Sequence, residues 1–235
     1  MVKNIVLLLL YIIMTNKYLF ARIKLEKPET LFEILIDNDG WEVINVENNI
    51  TISTKSLNNS TLGAFMVQQK TTIPPKVIQE IIMDVNNYNI YFNNPGLSNF
   101  KELDRSISWV DGYHFIQVAI PFIKDREYYF RIHRDGYSIN DTSSIVHWYL
   151  LNEIDSSYKK INMKINNTIT IHQGAGIWTA QDFVGDSYIL SYRLFLDPGG
   201  FIPAFAKDIM NETNIVNIFK NVLTEAKIRN TNLFH

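Results

Sequence analysis

The stretch "LFLDPGGFIPAF", Leu194 to Phe205, joins an alternating apolar segment to a helical one and carries Asp197, Pro198, Gly199, Gly200 and Pro203. Paired glycines ahead of a helix serve as a phosphate cradle, a hinge or a plain turn. The cradle reading fails on chemistry. No Lys-Ser/Thr pair follows the glycines, and Pro203 lacks the backbone N–H that a phosphate would need there. Asp197-Pro198 instead ends a strand, Gly199 and Gly200 permit backbone angles closed to other residues, and Pro203 restarts the chain as helix. The stretch is a joint between sheet and helix, with Gly199 and Gly200 as candidate hinge residues.

Downstream of the joint, Ile202, Phe205, Ile209, Val216, Phe219, Leu223 and Ala226 recur at steps of three and four. That period predicts one long helix from Ile202 to Lys227, with an apolar face interrupted at Glu212 and Thr213. Upstream, from Ile107 to Leu196, strand signals dominate: "SISWV", "YHFIQVAI", "REYYFRIHR", "SIVHWYLLNE", "MKINNTITIHQ", "AGIWTAQDF" and "DSYILSYRLFL". Asp111-Gly112 reads as a hairpin turn between the first two, and Asp135-Gly136 closes the third. Earlier still, "KPETLFEILIDNDG" is a short helix. "WEVINVENNITISTKS" and "LGAFMVQQKTTI" are two antiparallel strands joined around Leu57 to Ser60, and "PPKVIQEIIMDVNNYNIYF" is a second helix. Strands grouped together with helices at the ends predict an α+β fold in one domain.

The N-terminus has its own layout. Lys3, the apolar run Ile5 to Met14 and the small residue Ala21 are arranged as in a secretory signal peptide over residues 1–21. The run is about half the roughly 20 apolar residues that a spanning helix needs. Export to the periplasm or the outside is therefore expected, with residues 22–235 as the folded domain; an uncleaved anchor is the alternative. The chain has no cysteine, which removes disulfides, thiolate metal sites and a Cys nucleophile. A net charge of −2 argues against a nucleic-acid partner. No Gly-x-Ser-x-Gly elbow or phosphate loop is present, and "GAG" at Gly174 to Gly176 holds two of the three glycines of a dinucleotide fingerprint. His114, His133, His147 and His172 fall on separate strands without ligand spacing, so no metal and no cofactor is expected. Arg126, between Asp125 and Glu127, belongs either to a surface ion-pair cluster or points inward, where its charge would need a partner.

Together, "PFIKDREYYFRIHR" (Pro121 to Arg134), "GIWTAQDF" with "DSYILSYRLFLDPGGFIP" (ending at Pro203) and the closing helix resemble the START family of lipid-transfer domains, its bacterial members above all. Its Asp-Arg-Asp/Glu-aromatic pattern matches Asp125, Arg126, Glu127 and Tyr128, and its Asp-Pro-Gly-Gly-x-Ile-Pro pattern is complete at Asp197 to Pro203. The resemblance covers Glu29 to Asn230. It implies the helix-grip fold, a curved antiparallel sheet wrapped around the C-terminal helix and enclosing an apolar cavity for one lipid.

Candidate ligand-binding residues on that reading are Trp109, Phe115, Arg126, Tyr128, Phe130, Trp148, Trp178, Phe205, Ile209, Val216 and Phe219. Sterol-binding relatives carry a buried Arg paired with an acid one hairpin earlier. Ile132 and Tyr113 stand at those positions here, which disfavours a charged anchor for the ligand. The expected activity is non-enzymatic binding of a lipid or other hydrophobic small molecule, with transient membrane contact. The alternative is a cyclase-like enzyme using inward titratable groups, such as Tyr128 with His114 or His147.

Overall fold

A computed structural model describes residues 27–57, 62–92, 98–118, 123–139, 142–151, 168–200 and 214–232. The expected signal segment, Phe205 and Ile209 lie outside the described residues.

Helix α1 (Pro28–Ile36) starts on a proline in its first turn and buries Leu31, Phe32, Leu35 and Ile36, one stripe of an amphipathic helix. The strands follow as β1 (Glu42–Glu47), β2 (Ile50–Ser56), β3 (Gly63–Thr71), β4 (Ser98–Arg105), β5 (Trp109–Ile116) and β6 (Asp125–His133). After them come β7 (Ser138–Ile139), β8 (Thr142–Ser143), β9 (Val146–Leu150), β10 (Thr168–Thr170), β11 (Gln173–Phe183) and β12 (Ser187–Asp197). Helices α2 (Pro75–Ile82) and α3 (Tyr88–Tyr91) lie between β3 and β4, and α4 (Asn214–Asn232) closes the chain. The main sheet runs in the order β1-β2-β3-β12-β11-β9-β6-β5-β4, with β10 alongside β6; β7 and β8 pair separately. Every pair along that path is antiparallel, and only β10 runs parallel to its neighbour. A large antiparallel sheet with four α-helices among the described residues makes the fold α+β.

Alternation along the strands divides the interior into two cores. One face carries Val67, Val110, Phe130, Ile132, Trp178 and Tyr192, packed with α2 and with Ile215, Phe219 and Val222 of α4. The other carries Ala64, Ala175, Ile177 and Phe195 against Leu31, Phe32, Leu35 and Ile36 of α1. Arg193, on that second face, donates from Nη1 to the carbonyls of Leu35 (2.9 Å) and Ile36 (3.0 Å). It thereby caps the C-terminus of α1, whose last carbonyls lack partners within the helix.

Three local expectations are corrected. Asp111-Gly112 is not a turn but the middle of β5, and the chain reverses instead between Arg105 and Trp109. Gly112 is required there because a Cβ would enter the ring of Phe130 on the neighbouring strand. "WEVINVENNITISTKS" is two strands rather than one, since Asn48 and Asn49 adopt φ of 52° and 64° and turn the chain back on itself. The expected second helix breaks at Met83 into α2, a 3-10 turn (Val85–Asn87) and α3. No helix among the described residues is long and apolar enough to cross a membrane.

Candidate functional site

The register of β6 sets the site. Arg126, Tyr128, Phe130 and Ile132 share one face of the strand, and their partners across the β5 ladder are Ile116, His114, Gly112 and Val110. On β11 and β12, Trp178 lies opposite Tyr192, with the rings stacked at 4.3 Å. Trp148 of β9 reaches the same space and donates from Nε1 to Tyr192 Oη at 3.1 Å. Tyr128, Phe130, Ile132, His114, Trp148, Trp178 and Tyr192 line an apolar pocket of about 80 Å3, together with Phe100 of β4 and, from the helical side, Ile82, Tyr88, Phe92, Ile218 and Val222.

Its polar content is small and neutral. His114 is buried, stacked on Phe100 at 3.7 Å between ring centres. Its Nε2 is 2.5 Å from Ser98 Oγ and its Nδ1 is 2.7 Å from Tyr128 Oη. Burial pulls the His114 imidazole down to about 3, so it is uncharged at neutral pH. Burial likewise pushes the phenols of Tyr88, Tyr128 and Tyr192 well above their ordinary value. Tyr88 donates its hydroxyl to the carbonyl of Ile82.

Of the candidate ligand-binding residues, Tyr128, Phe130, Trp148 and Trp178 line the pocket. Phe219 stacks behind Trp178 at 5.6 Å, and Val216 lies in the same core. Trp109 and Phe115 do not join them. They pair with His133 and Glu127 on the opposite face of the sheet, because strand parity alternates and β5 runs unbroken through Asp111-Gly112. The ring of Trp109 lies there under the guanidinium of Arg131 at 4.2 Å. Among residues the sequence reading passed over, Ser98 and Phe100 sit on β4, whose "SNFKELDR" shows no clear alternation. Tyr192 alternates correctly with Leu190 and Leu194, and the period of β12 was sufficient to find it.

Arg126 points inward and is fully buried, but toward the chain itself. It donates to the carbonyls of Pro198 (3.2 Å), Gly199 (3.2 Å) and Lys124. Asp197 Oδ1 accepts from the Gly199 N–H at 2.9 Å, and both Gly199 and Gly200 hold φ of 63°. The Asp-Arg-Glu and Asp-Pro-Gly-Gly motifs thus interlock into one knot. An acid–arginine pair also exists on β5 and β6, between Arg131 and Asp111 at 2.6 and 2.7 Å. It occupies the outer face, while Ile132 turns into the pocket and Tyr113 turns away to donate to Glu127 at 2.8 Å.

Of the two combinations considered for acid–base chemistry, only Tyr128 with His114 is brought together. His147 lies on the outer face, stacked on His133 at 4.9 Å. Among the described residues, no group of three or more His, Asp or Glu is placed to hold a metal ion.

No protein-family model matches the sequence, and no curated protein matches it. The fold does have solved counterparts. A STAR-related lipid transfer protein from Xanthomonas axonopodis (fragment 25–204) superposes with a TM-score of 0.62 at 16% identity, covering 80% of this chain and 99% of that one. The chain has the START fold. Human STARD10 matches with a TM-score of 0.59 at 12% identity over 92% of this chain and 87% of its own. Human StAR-related lipid transfer protein 5 gives 0.60 at 11% identity over 86% and 93%. Within this START fold, the pocket lies between the sheet face of β6, β9, β11 and β12 and the helices α2 and α4.

Proposed function

We propose that the protein is a non-enzymatic carrier that binds one hydrophobic, lipid-type ligand between its sheet and α4, in the helix-grip arrangement with the sheet curved around that helix. One observation carries this reading: aromatic residues of five strands and Ile218 and Val222 of α4 converge on a single apolar pocket. Apolar walls with few polar points are the usual chemistry of small-molecule sites. Solved proteins of the same fold named as lipid-transfer proteins support it.

Pockets for drug-sized ligands measure roughly 300–1,000 Å3, so a pocket of about 80 Å3 has to dilate to take a lipid. Phe92, Phe100 and Ile218 are only half-buried and are the walls able to yield. Gly199 and Gly200, within the knot, are the proposed hinge for that opening. Export through residues 1–21 and transient membrane contact complete the reading: a lipid carrier working outside the cytoplasm.

Native mass spectrometry of the protein purified from cells tests it, together with transfer of a labelled lipid between vesicles. A bound lipid mass and transfer above the spontaneous rate are expected. A protein that stays empty, moves no lipid and converts an aromatic polyketide would replace the carrier by the cyclase alternative.

A further inference from the structure

Besides the Trp148–Tyr192 pair and the Tyr88 hydroxyl bonded to Ile82, the aromatic and aliphatic wall carries a three-membered hydrogen-bonded chain, Ser98–His114–Tyr128. We propose that Tyr128 Oη, set by His114, is the anchor for a single uncharged oxygen, a hydroxyl or a carbonyl, on an otherwise apolar ligand. The inference deepens the carrier reading and rests on it.

The geometry carries it in three steps. First, a neutral imidazole has one N–H and one lone pair, and here each nitrogen faces a hydroxyl, at 2.5 Å on Ser98 and 2.7 Å on Tyr128. If Nδ1–H donates to Tyr128, Ser98 donates to Nε2, and the Tyr128 proton is left to meet a ligand carbonyl. If Tyr128 donates to Nδ1, Nε2–H donates to Ser98, and the Tyr128 oxygen is left to accept from a ligand hydroxyl. The two arrangements interconvert by reversing the chain as a unit, so one side chain serves both oxygen types.

Second, Tyr128 and His114 both line the pocket, but both ring nitrogens of His114 are taken, by Ser98 and by Tyr128, whereas the Tyr128 hydroxyl keeps a proton or a lone pair beyond its bond to Nδ1. The phenol is therefore the member of the chain that a ligand meets. Third, among the described residues lining the pocket none is an Asp, Glu, Lys or Arg. Arg126 is committed to the carbonyls of Pro198 and Gly199, and Arg131 to Asp111 on the far face. A carboxylate or phosphate drawn into this pocket would find no counter-charge, and an unpaired buried ion is strongly disfavoured. Its headgroup would have to stay at the mouth.

Three probes of one shape and different headgroup separate the possibilities: naphthalene, 2-naphthol and 2-naphthoate, titrated at neutral pH into the full chain. A net neutral hydrogen bond of about 1 kcal/mol corresponds to roughly fivefold, so 2-naphthol should bind about fivefold tighter than naphthalene. 2-Naphthoate should bind at least about tenfold more weakly than 2-naphthol, from the cost of its unpaired charge. Tyr128→Phe should bring the 2-naphthol to naphthalene ratio to about one. Because that variant removes the partner of a buried imidazole, a second measurement on the unmodified protein is paired with it. The 15N shifts of His114 should move on adding 2-naphthol and stay still with naphthalene. Equal affinity for naphthalene and 2-naphthol with unmoved His114 shifts overturns the anchor and leaves the carrier reading standing. Binding of none of the three overturns both.

Discussion

Arg126 holds a charge where its side chain has no exposed surface, and it is matched by backbone oxygen rather than by a ligand. A guanidinium stays protonated under all ordinary conditions, even though burial pulls its pKa below the usual value. The carbonyls of Pro198 and Gly199 point at it because Asp197 closes a turn on the Gly199 N–H and both glycines sit at φ of 63°. Arg126→Met keeps much of the bulk but leaves those carbonyls without a donor, at a cost of about 1–3 kcal/mol. Gly200→Ala forces a side chain into left-handed backbone, about 1–2 kcal/mol, and sets its Cβ 2.6 Å from Ile169 Cδ1. Both changes act on the same loop. Urea denaturation of the two single variants and the double variant should therefore show a coupling of about 0.5 kcal/mol or more. Strict additivity would mean that the knot is not one unit.

At the scale of elements, the C-terminal half of α4 is pinned. Arg229 donates to Glu225 and Asp84, each at 2.8 Å, and to the hydroxyl of Tyr91, tying α4 to the segment around α3 that closes the pocket. Burial raises the Asp84 carboxyl, but hydrogen bonds from Tyr91, Arg229 and Asn87 outweigh it and hold it below its ordinary value of 3.8. A depressed folded pKa means stability that is complete above the unfolded value and is lost as pH falls through the folded one. Asp84→Asn should cost about 1 kcal/mol or less at pH 7, since the pair is partly exposed, and the gap to the unmodified protein should close below the ordinary 3.8. Denaturation curves at neutral and acid pH measure this, and a gap independent of pH would place the effect elsewhere. These elements differ in how far sequence revealed them. Val216, Phe219, Leu223 and Ala226 mark the buried face of α4 by period alone, and all four are buried. Asp111-Gly112 misleads because its turn signal is local, whereas the demand for glycine comes from Phe130, across the sheet.

For the whole molecule, the sheet works as a partition. The side bearing Trp178 and Tyr192 meets α2, α3 and α4 and contains the pocket, and the side bearing Ala175 and Ile177 meets α1. The pocket's composition was legible wherever a strand alternates cleanly, as at Tyr128, Phe130, Trp148 and Trp178. Trp109 and Phe115 are aromatic strand residues like these, but the parity of β5 turns them to the face opposite the pocket. Ser98 and Phe100 could not be found at all, since β4 joins the site by its ladder with β5 rather than by its own pattern. The partition has a mechanical consequence. Leu35, fully buried on the inner side of α1, and Val222, on the pocket wall, belong to separate cores. Leu35→Ala should destabilise the fold by about 2–5 kcal/mol and leave the naphthalene affinity of the folded protein within about twofold. Val222→Ala removes two methyl groups, about 1.6 kcal/mol of burial, yet it widens a pocket of only about 80 Å3. It should bind naphthalene several-fold more tightly, because a wall that no longer has to be pushed aside does not oppose entry. Thermal denaturation and probe titration on both variants separate the two effects. If Leu35→Ala shifts the naphthalene affinity as much as Val222→Ala, the sheet transmits strain between its faces and the two cores are one.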